Sequence, residues 1–244
     1  MKETVLITGS SRGIGKQTAL LFGKQGFPVA VHCRQNREAA EAVAKQIRQN
    51  GGQAYAFSAD ISREEEVKRL FSQIEMKLGE ISTLVNNAAV SSQQLFTDLT
   101  PQEWDALYGV NLKGTMQVTQ RALPGMIRRK AGKVINLSSI WGLTGASCEV
   151  GYSVTKAAII GFTKALAKEL GPSNIQVNCV APGVVSTDMN AHLDKQTLAA
   201  LKEETPLGRI ASPEEIAQTI LFLSSPEASF ITGQVISPNG GMVI

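Results

Sequence analysis

Four side chains in this sequence have the types and spacing needed for acid–base chemistry on a carbonyl group. Tyr152-Ser153-Val154-Thr155-Lys156 sets a tyrosine and a lysine four apart, on one face of a helix. A free tyrosine titrates near pH ~10, too high for efficient proton exchange at neutral pH. A lysine ammonium about 5 Å away, at an effective dielectric near 20, favours phenolate by roughly 3 kcal/mol. The spacing therefore predicts a Tyr152 pKa lowered by about two units. Upstream, Asn136-Leu137-Ser138-Ser139 ends a strand-like run, and Ser139 can hydrogen-bond a substrate carbonyl. Asn111, within Val110-Asn111-Leu112, can hold a water that connects Lys156 to solvent. Each also has a plain structural alternative: a surface Tyr/Lys pair, a strand-end turn, a satisfied buried amide.

A second set of residues suits a dinucleotide. Thr8-Gly9-Ser10-Ser11-Arg12-Gly13-Ile14-Gly15 follows the strand-like Thr4-Val5-Leu6-Ile7 and opens a helical pattern. Glycines there permit a tight turn and bring backbone close to a pyrophosphate, whose charge faces the helix N-terminus. The spacing is GxxxGxG rather than GxGxxG. The second strand ends Val31-His32-Cys33-Arg34, without the carboxylate that holds an NAD ribose hydroxyl. Arg34 can meet a 2′-phosphate instead, with Arg12 on its other side. One or two charge-assisted bonds, each worth roughly 1.5–3 kcal/mol, favour NADPH over NADH by about tenfold to several hundredfold. The expected cofactor is NADP(H); the alternative is a solvated Arg34 at a helix start.

Further strand ends add candidates. Asp60 can accept from an adenine amino group while Ile61 packs on the ring, or Asp60 can cap the following helix. In Asn86-Asn87-Ala88-Ala89, Asn87 and Ala88 suit a backbone passing close to the cofactor. In Pro182-Gly183-Val184-Val185-Ser186-Thr187, a Pro-Gly turn can expose backbone groups to a nicotinamide carboxamide. Val185 and Thr187 belong to that wall.

The elements that must position these groups are legible as alternating patterns. Val5–Ile7, Val29–Val31, Ala54–Phe57, Leu84–Val85, Val134–Leu137, Ile175–Val180 and Gln234–Ile236 read as strands. Helical patterns cover about 13–25, 38–50, 63–78, 101–129, 152–170 and 213–224. Strand–helix alternation predicts a doubly wound parallel α/β sheet, and its ligands lie beyond the carboxyl ends of the strands. With no linker-like stretch, 1–244 reads as one domain. A substrate lid is expected over about 186–206, with Met189, His192, Leu193, Leu198 and Leu201 as its apolar or amphipathic members.

Composition narrows the functional classes. Of 244 residues, 43% are hydrophobic and the formal net charge is +3. No basic stripe suggests nucleic acid, and no apolar run is long enough to span a membrane. Cys33, Cys148 and Cys179 lack CxxC spacing, and the only histidines are His32 and His192. No metal site is expected, and the cysteine usage with no signal-peptide pattern reads as cytoplasmic.

Taken together, Thr8-Gly9-x-x-x-Gly13-x-Gly15, Asn86-Asn87-Ala88, Asn111, Ser139, Tyr152-x-x-x-Lys156 and Pro182-Gly183 resemble the short-chain dehydrogenase/reductase family over essentially the whole chain. The resemblance implies a Rossmann sheet of seven parallel strands and Tyr152 as proton donor. It implies that Lys156 lowers the Tyr152 pKa and binds the nicotinamide ribose, that Ser139 positions the carbonyl, and that Asn111 supports a proton relay. It also implies a homotetramer built partly on helices 101–129 and 152–170.

Within the family, Ser11-Arg12-Gly13-Ile14-Gly15, Val177-Asn178-Cys179-Val180-Ala181-Pro182-Gly183, Pro206-Leu207-Gly208-Arg209 and Ile231-Thr232-Gly233-Gln234 resemble the bacterial 3-oxoacyl-acyl-carrier-protein reductases of fatty acid biosynthesis. Arg128-Arg129-Lys130 offers an acidic carrier protein a landing patch, or simply complements a helix dipole. Two positions depart from that branch. Ala89 stands where the family has glycine, and Ser173 where carrier reductases often have a basic residue. The stretch from Ile140 to Val150, with Glu149, resembles reductases of the 5-aminopentanone group on elongation factor P. Reduction of that ketone or of a small-molecule ketone is the alternative enzyme reading, and a non-catalytic NADP-binding regulator is a third.

Overall fold

The computed structural model of the chain describes residues 4–190 and 194–244, the Met189 side chain apart. Seven parallel strands form one sheet: β1 (Thr4–Ile7), β2 (Val29–Cys33), β3 (Ala54–Ser58), β4 (Ile81–Asn86), β5 (Gly132–Leu137), β6 (Ile175–Val180) and β7 (Val235–Ile236). Their order is β3-β2-β1-β4-β5-β6-β7, the expected Rossmann arrangement. Around them lie α1 (Gly13–Lys24), α2 (Arg37–Gln49), α3 (Glu64–Leu78), α4 (Pro101–Leu107), α5 (Thr115–Arg129), α6 (Trp141–Thr144), α7 (Val150–Leu170), α8 (Lys195–Glu203) and α9 (Pro213–Ser224). Among the described residues, no helix is long and apolar enough to cross a membrane.

The strands are apolar at successive positions because both faces are covered. Val5 and Ile7 pack with Phe22 of α1, Val43 of α2 and Ile220 of α9. Leu6, between them in sequence, joins the opposite layer with Phe71 of α3, Met126 of α5 and Leu170 of α7. β1 pairs with β2 on one side and β4 on the other. The chain therefore leaves these strand ends in diverging directions and opens a crevice at the carboxyl edge.

Local signals set the helix starts. Asn36 caps α2 by accepting from the Ala39 N–H at 2.9 Å. Thr100 and Glu103 form a capping box at α4, and Ser212 and Glu215 form another at α9, each followed by proline. Arg209 reinforces the second box by donating through both terminal nitrogens to Glu215.

Two expectations change here. The single helix expected over 101–129 is α4 and α5 joined through a π-helical segment, Tyr108–Gly114, which carries Asn111. Such wide turns recur at functional sites. Gly114 lets this segment sit on Ile61, since a Cβ there would lie 2.8 Å from Ile61 Cγ1. The expected lid region contains a short 3₁₀ turn, Asp188–Asn190, and α8, which Asp194 caps through the Thr197 N–H at 2.7 Å. Leu198 and Leu201 are half-buried on α8. His192, Leu193 and the Met189 side chain lie outside the described residues.

Removing the α9 cap with Ser212→Ala should lower stability by about 1 kcal/mol. A urea unfolding series would show this as a lower midpoint with an unchanged slope.

Candidate active site

The chemistry-bearing side chains meet where β5 ends against the first turns of α7. Lys156 is 3% exposed, and its Nζ donates to the Leu137 carbonyl at 2.8 Å. Ser138, the next residue, donates from Oγ to the Lys156 main-chain oxygen at 2.7 Å. The helix is thus tied to the strand end from both directions. A Cβ on Gly142 would lie 2.5 Å from Ser138 Oγ and 2.7 Å from the Lys156 carbonyl carbon, so only glycine lets α6 close over this junction. Ser139 is half-buried, accepts the Trp141 N–H at 3.2 Å and hydrogen-bonds the Tyr152 hydroxyl. Lys156 Nζ lies 5.5 Å from the centre of the Tyr152 ring. Ser139, Tyr152 and Lys156 are therefore brought together.

The electrostatics differ from the sequence expectation. Burial raises the Tyr152 pKa well above its ordinary value, the Glu149 carboxylate raises it further, and the Ser139 bond only partly offsets them. The Lys156 Nζ is directed to the Leu137 carbonyl. Its own pKa falls to about 8 through burial. Asn111 is buried. Its Nδ2 donates to the Val90 carbonyl at 2.9 Å and to Thr155 Oγ1 at 3.1 Å, while Oδ1 accepts the Val90 N–H at 2.8 Å. These bonds fasten the π-helical segment to α7 and to the loop after β4.

The crevice beside β1 meets the steric demands of a dinucleotide. Gly9 and Gly13 have φ of +66° and +54°. A Cβ at Gly15 would lie 2.5 Å from the Gly9 oxygen and 2.6 Å from Asn87 Nδ2. The α1 N-terminus, flanked by Ser11 and Ile14, has no side-chain cap and no acidic residue in its first turn. Its N–H groups are thus left to an anion. Thr187 stands over Gly13, its Cγ2 3.4 Å from where a Cβ would be. Arg34 lies 3.9 Å from Asp60, and Arg12, largely exposed, lies 4.0 Å from Asp188. The glycines and the uncapped helix start, with no acidic residue in its first turn, fit the pyrophosphate of a nicotinamide dinucleotide.

Several candidate positions also hold the walls together. Asn87 donates from Nδ2 to the Thr8 and Gly9 carbonyls at 2.9 and 3.0 Å, and the Asn87 and Ala88 N–H groups both donate to Thr8 Oγ1 at 3.0 Å. Asp60 Oδ1 accepts from the Ser62 N–H and hydroxyl in a local turn, and it does not cap α3, whose N-cap is Arg63 without a side-chain bond. Burial works against its charge, but these bonds and Arg34 keep its carboxyl below the usual range. Ile61 is buried in the core layer that includes residues of α3 and α5. Gly183 donates its N–H to the Pro238 carbonyl at 3.2 Å and sits on Asn239, while the Pro182 carbonyl accepts from Ile140. These Pro182 and Gly183 groups are therefore committed to neighbouring chain. Val185 is buried, and its carbonyl accepts from Asn190 Nδ2 at 2.8 Å.

A sequence profile described as enoyl-(acyl carrier protein) reductase matches residues 9–243. The chain is 44% identical over 238 residues to the 3-oxoacyl-[acyl-carrier-protein] reductase of Aquifex aeolicus, covering 97% of this chain and 96% of that one. It is 39% identical over 242 residues to the enzymes of that name from Staphylococcus aureus and Thermotoga maritima, covering 99% of this chain and 98% of each. The chain belongs to the short-chain dehydrogenase/reductase family. It is an oxidoreductase acting on a ketone/hydroxyl pair. The profile's description and the relatives' names differ in the bond reduced. The paired hydroxyls of Ser139 and Tyr152 suit a carbonyl oxygen, which agrees with the relatives' names.

Against this family frame, sequence reading missed Ser138, Gly142 and His32. Ser138 was visible as the first of two serines, and Gly142 as the glycine three residues after Ser139, but their contacts are tertiary. His32 stands in the second strand end, but its ring contacts to Gly9 and Ala59 are tertiary. The Arg128-Arg129-Lys130 run lies at the end of α5, on the edge where β4 and β5 begin, opposite Ser139. Glu80 pairs with both arginines. Within one chain, the run therefore does not border the catalytic groups.

Burial lowers the His32 pKa to about 4, against a small raising effect of its bond to Ala59 and of Asp60. The unfolded chain thus binds a proton near pH ~6.5 that the folded chain refuses. Stability should be fully present above about pH 6.5 and fall as pH drops toward 4, by about 3 kcal/mol from this residue. Urea unfolding midpoints measured across that range check this, and His32→Asn should flatten the slope.

Proposed function

We propose that the chain reduces 3-oxoacyl groups carried on acyl carrier protein to 3-hydroxyacyl groups, in fatty acid biosynthesis, with NADPH as reductant. The observation that carries the reading is the convergence of the Ser139 and Tyr152 hydroxyls, backed by Lys156, beside the glycine cradle. Gly9, Ser11, Arg12, Gly13, Ile14 and Gly15 hold the pyrophosphate, and Arg34 holds the 2′-phosphate. Asp60, Asn87, Ala88, Pro182, Gly183, Val185 and Thr187 shape the walls. The nicotinamide, when bound, supplies the hydride.

The remaining chemistry belongs to the side chains. Ser139 and Tyr152 donate hydrogen bonds to the substrate oxygen, which gains negative charge as reduction proceeds. Burial and Glu149 keep Tyr152 protonated at neutral pH, the state a donor requires. Its proton passes to the oxygen, and the phenolate left behind is stabilised by the Lys156 ammonium. With a pKa of about 8, Lys156 is largely charged at neutral pH. Lys156 also binds the nicotinamide ribose, and Asn111 supports proton return by fixing the π-helical segment against Thr155.

We place the enzyme in the cytoplasm as a single-domain subunit of a homotetramer. Exposed Tyr108, Met116 and Val154 supply apolar surface for that association. A second substrate reading rests on Glu149, whose negative charge acts on Tyr152. It favours a ketone bearing an amine, such as the 5-aminopentanone group on elongation factor P. NADPH oxidation with a 3-oxoacyl-carrier protein, run beside the same acyl group on a small thioester, separates the two. Turnover favouring the carrier supports the first reading. No turnover with either, in protein that binds NADPH, supports the second.

Tyr152→Phe should lower kcat by about 10²- to 10⁴-fold while leaving the NADPH Kd unchanged. Unchanged kcat would contradict the mechanism. Arg34→Asp should weaken NADPH by about tenfold to several hundredfold and improve NADH. Titrating both cofactors against both proteins measures this.

A further inference from the structure

His32 is a buried titratable group that the reaction does not use. It is 1% exposed at the carboxyl end of β2 and spends both ring nitrogens on backbone. Nδ1 accepts the Gly9 N–H at 3.1 Å, and Nε2 lies 3.0 Å from the Ala59 carbonyl. Because Gly9 donates to Nδ1, the ring proton must sit on Nε2 and be donated to Ala59. The His32 backbone adds two bonds to the same loop: its N–H donates to Ser10 Oγ at 2.9 Å, and its carbonyl accepts the Ser10 N–H at 2.8 Å. One imidazole thus joins the glycine loop at the end of β1 to the end of β3, where Ala59 immediately precedes Asp60. Arg34 lies two residues after His32 on the same strand end.

We infer that His32 is a positioning residue for the dinucleotide, fixing the glycine loop relative to the Asp60 and Arg34 wall. This rests on the cofactor reading above. The two walls must keep a set separation, because the pyrophosphate seats on one and the adenosine phosphate on the other. The β1–β2 pairing ends at Ile7 and Val31. Beyond those residues the loop is tied to β2 through Ser10 and to the end of β4 through Asn87, with no tie of its own, among the described residues, to the end of β3. The imidazole bridges that gap. It acts on the part common to NADPH and NADH, whereas Arg34 acts on the 2′-phosphate alone. The two residues therefore leave different signatures.

The test is direct titration of the full chain with NADPH and with NADH, which needs no carbonyl substrate. His32→Phe fills the space without the polar atoms and should weaken both cofactors tenfold or more. Arg34→Ala should weaken NADPH alone. In turnover, His32→Phe should raise the NADPH KM by the same factor with kcat retained at saturating cofactor, which a general loss of folding would not produce. His32→Asn keeps a donor and an acceptor and should recover part of the affinity. Should the Phe variant not fold, a threefold or greater weakening of both cofactors in His32→Asn is the expected result. Cofactor affinities equal to wild type in the folded variants, or weakening confined to NADPH, overturn the assignment. Wild-type protein that binds neither dinucleotide overturns the cofactor reading itself.

Discussion

The site depends on how α7 is fastened to the end of β5. Two bonds cross that junction in opposite senses: Lys156 Nζ to the Leu137 carbonyl, and Ser138 Oγ to the Lys156 carbonyl. A buried ammonium is costly unless it is hydrogen-bonded, so the Leu137 contact both satisfies Lys156 and sets its height on the strand. Tyr152 lies one helical turn earlier, which brings its hydroxyl to Ser139, the residue after Ser138. A slip of the helix would separate the two hydroxyls and strand the charge together. Gly142 is part of the same constraint, since a side chain there would drive α6 off the junction.

Polar contacts beneath the carboxyl edge hold the two halves of the crevice in register. Asn86 Nδ2 donates to Thr119 Oγ1 at 2.8 Å and to Asn136 Oδ1 at 2.9 Å, and Asn136 Nδ2 donates to Thr163 Oγ1 at 2.9 Å. This chain runs from α5 across β4 and β5 to α7. On the cofactor side, Asn87 performs the equivalent task for the glycine loop. The result is a rigid edge with pre-set donors, which suits a reaction that develops charge at one oxygen. It also explains why family site positions such as Asn87, Asn111 and Gly183 are occupied by scaffold contacts.

Strands were legible because each is covered on both faces, and β6 matches its expected bounds of Ile175 and Val180. β4 begins before the expected Leu84–Val85 because Ser82 and Thr83 interrupt the apolar run, yet Ser82 Oγ bonds the Thr4 carbonyl at 3.3 Å. The π-helical turn was not legible, because an apolar pattern of period 3.6 tolerates one wide turn without losing its face. The Tyr152–Lys156 spacing announced the pair but not its burial, the nearby Glu149 charge, or the direction of the Lys156 ammonium. The first two set the upward direction of the Tyr152 shift. Ile61 and Gly183 show the same limit: their place at a strand end was readable, their packing on Gly114 and Asn239 was not.

The central claim is that the paired hydroxyls serve reduction of a carbonyl rather than of a carbon–carbon double bond. The most direct measurement incubates the protein with NADPH and an equal mixture of a 3-oxoacyl and a 2-enoyl thioester, then identifies the products by mass spectrometry. The account predicts that the 3-hydroxyacyl thioester accumulates while the enoyl compound is recovered. Conversion of the enoyl compound to the saturated thioester, with the 3-oxoacyl compound untouched, would contradict it.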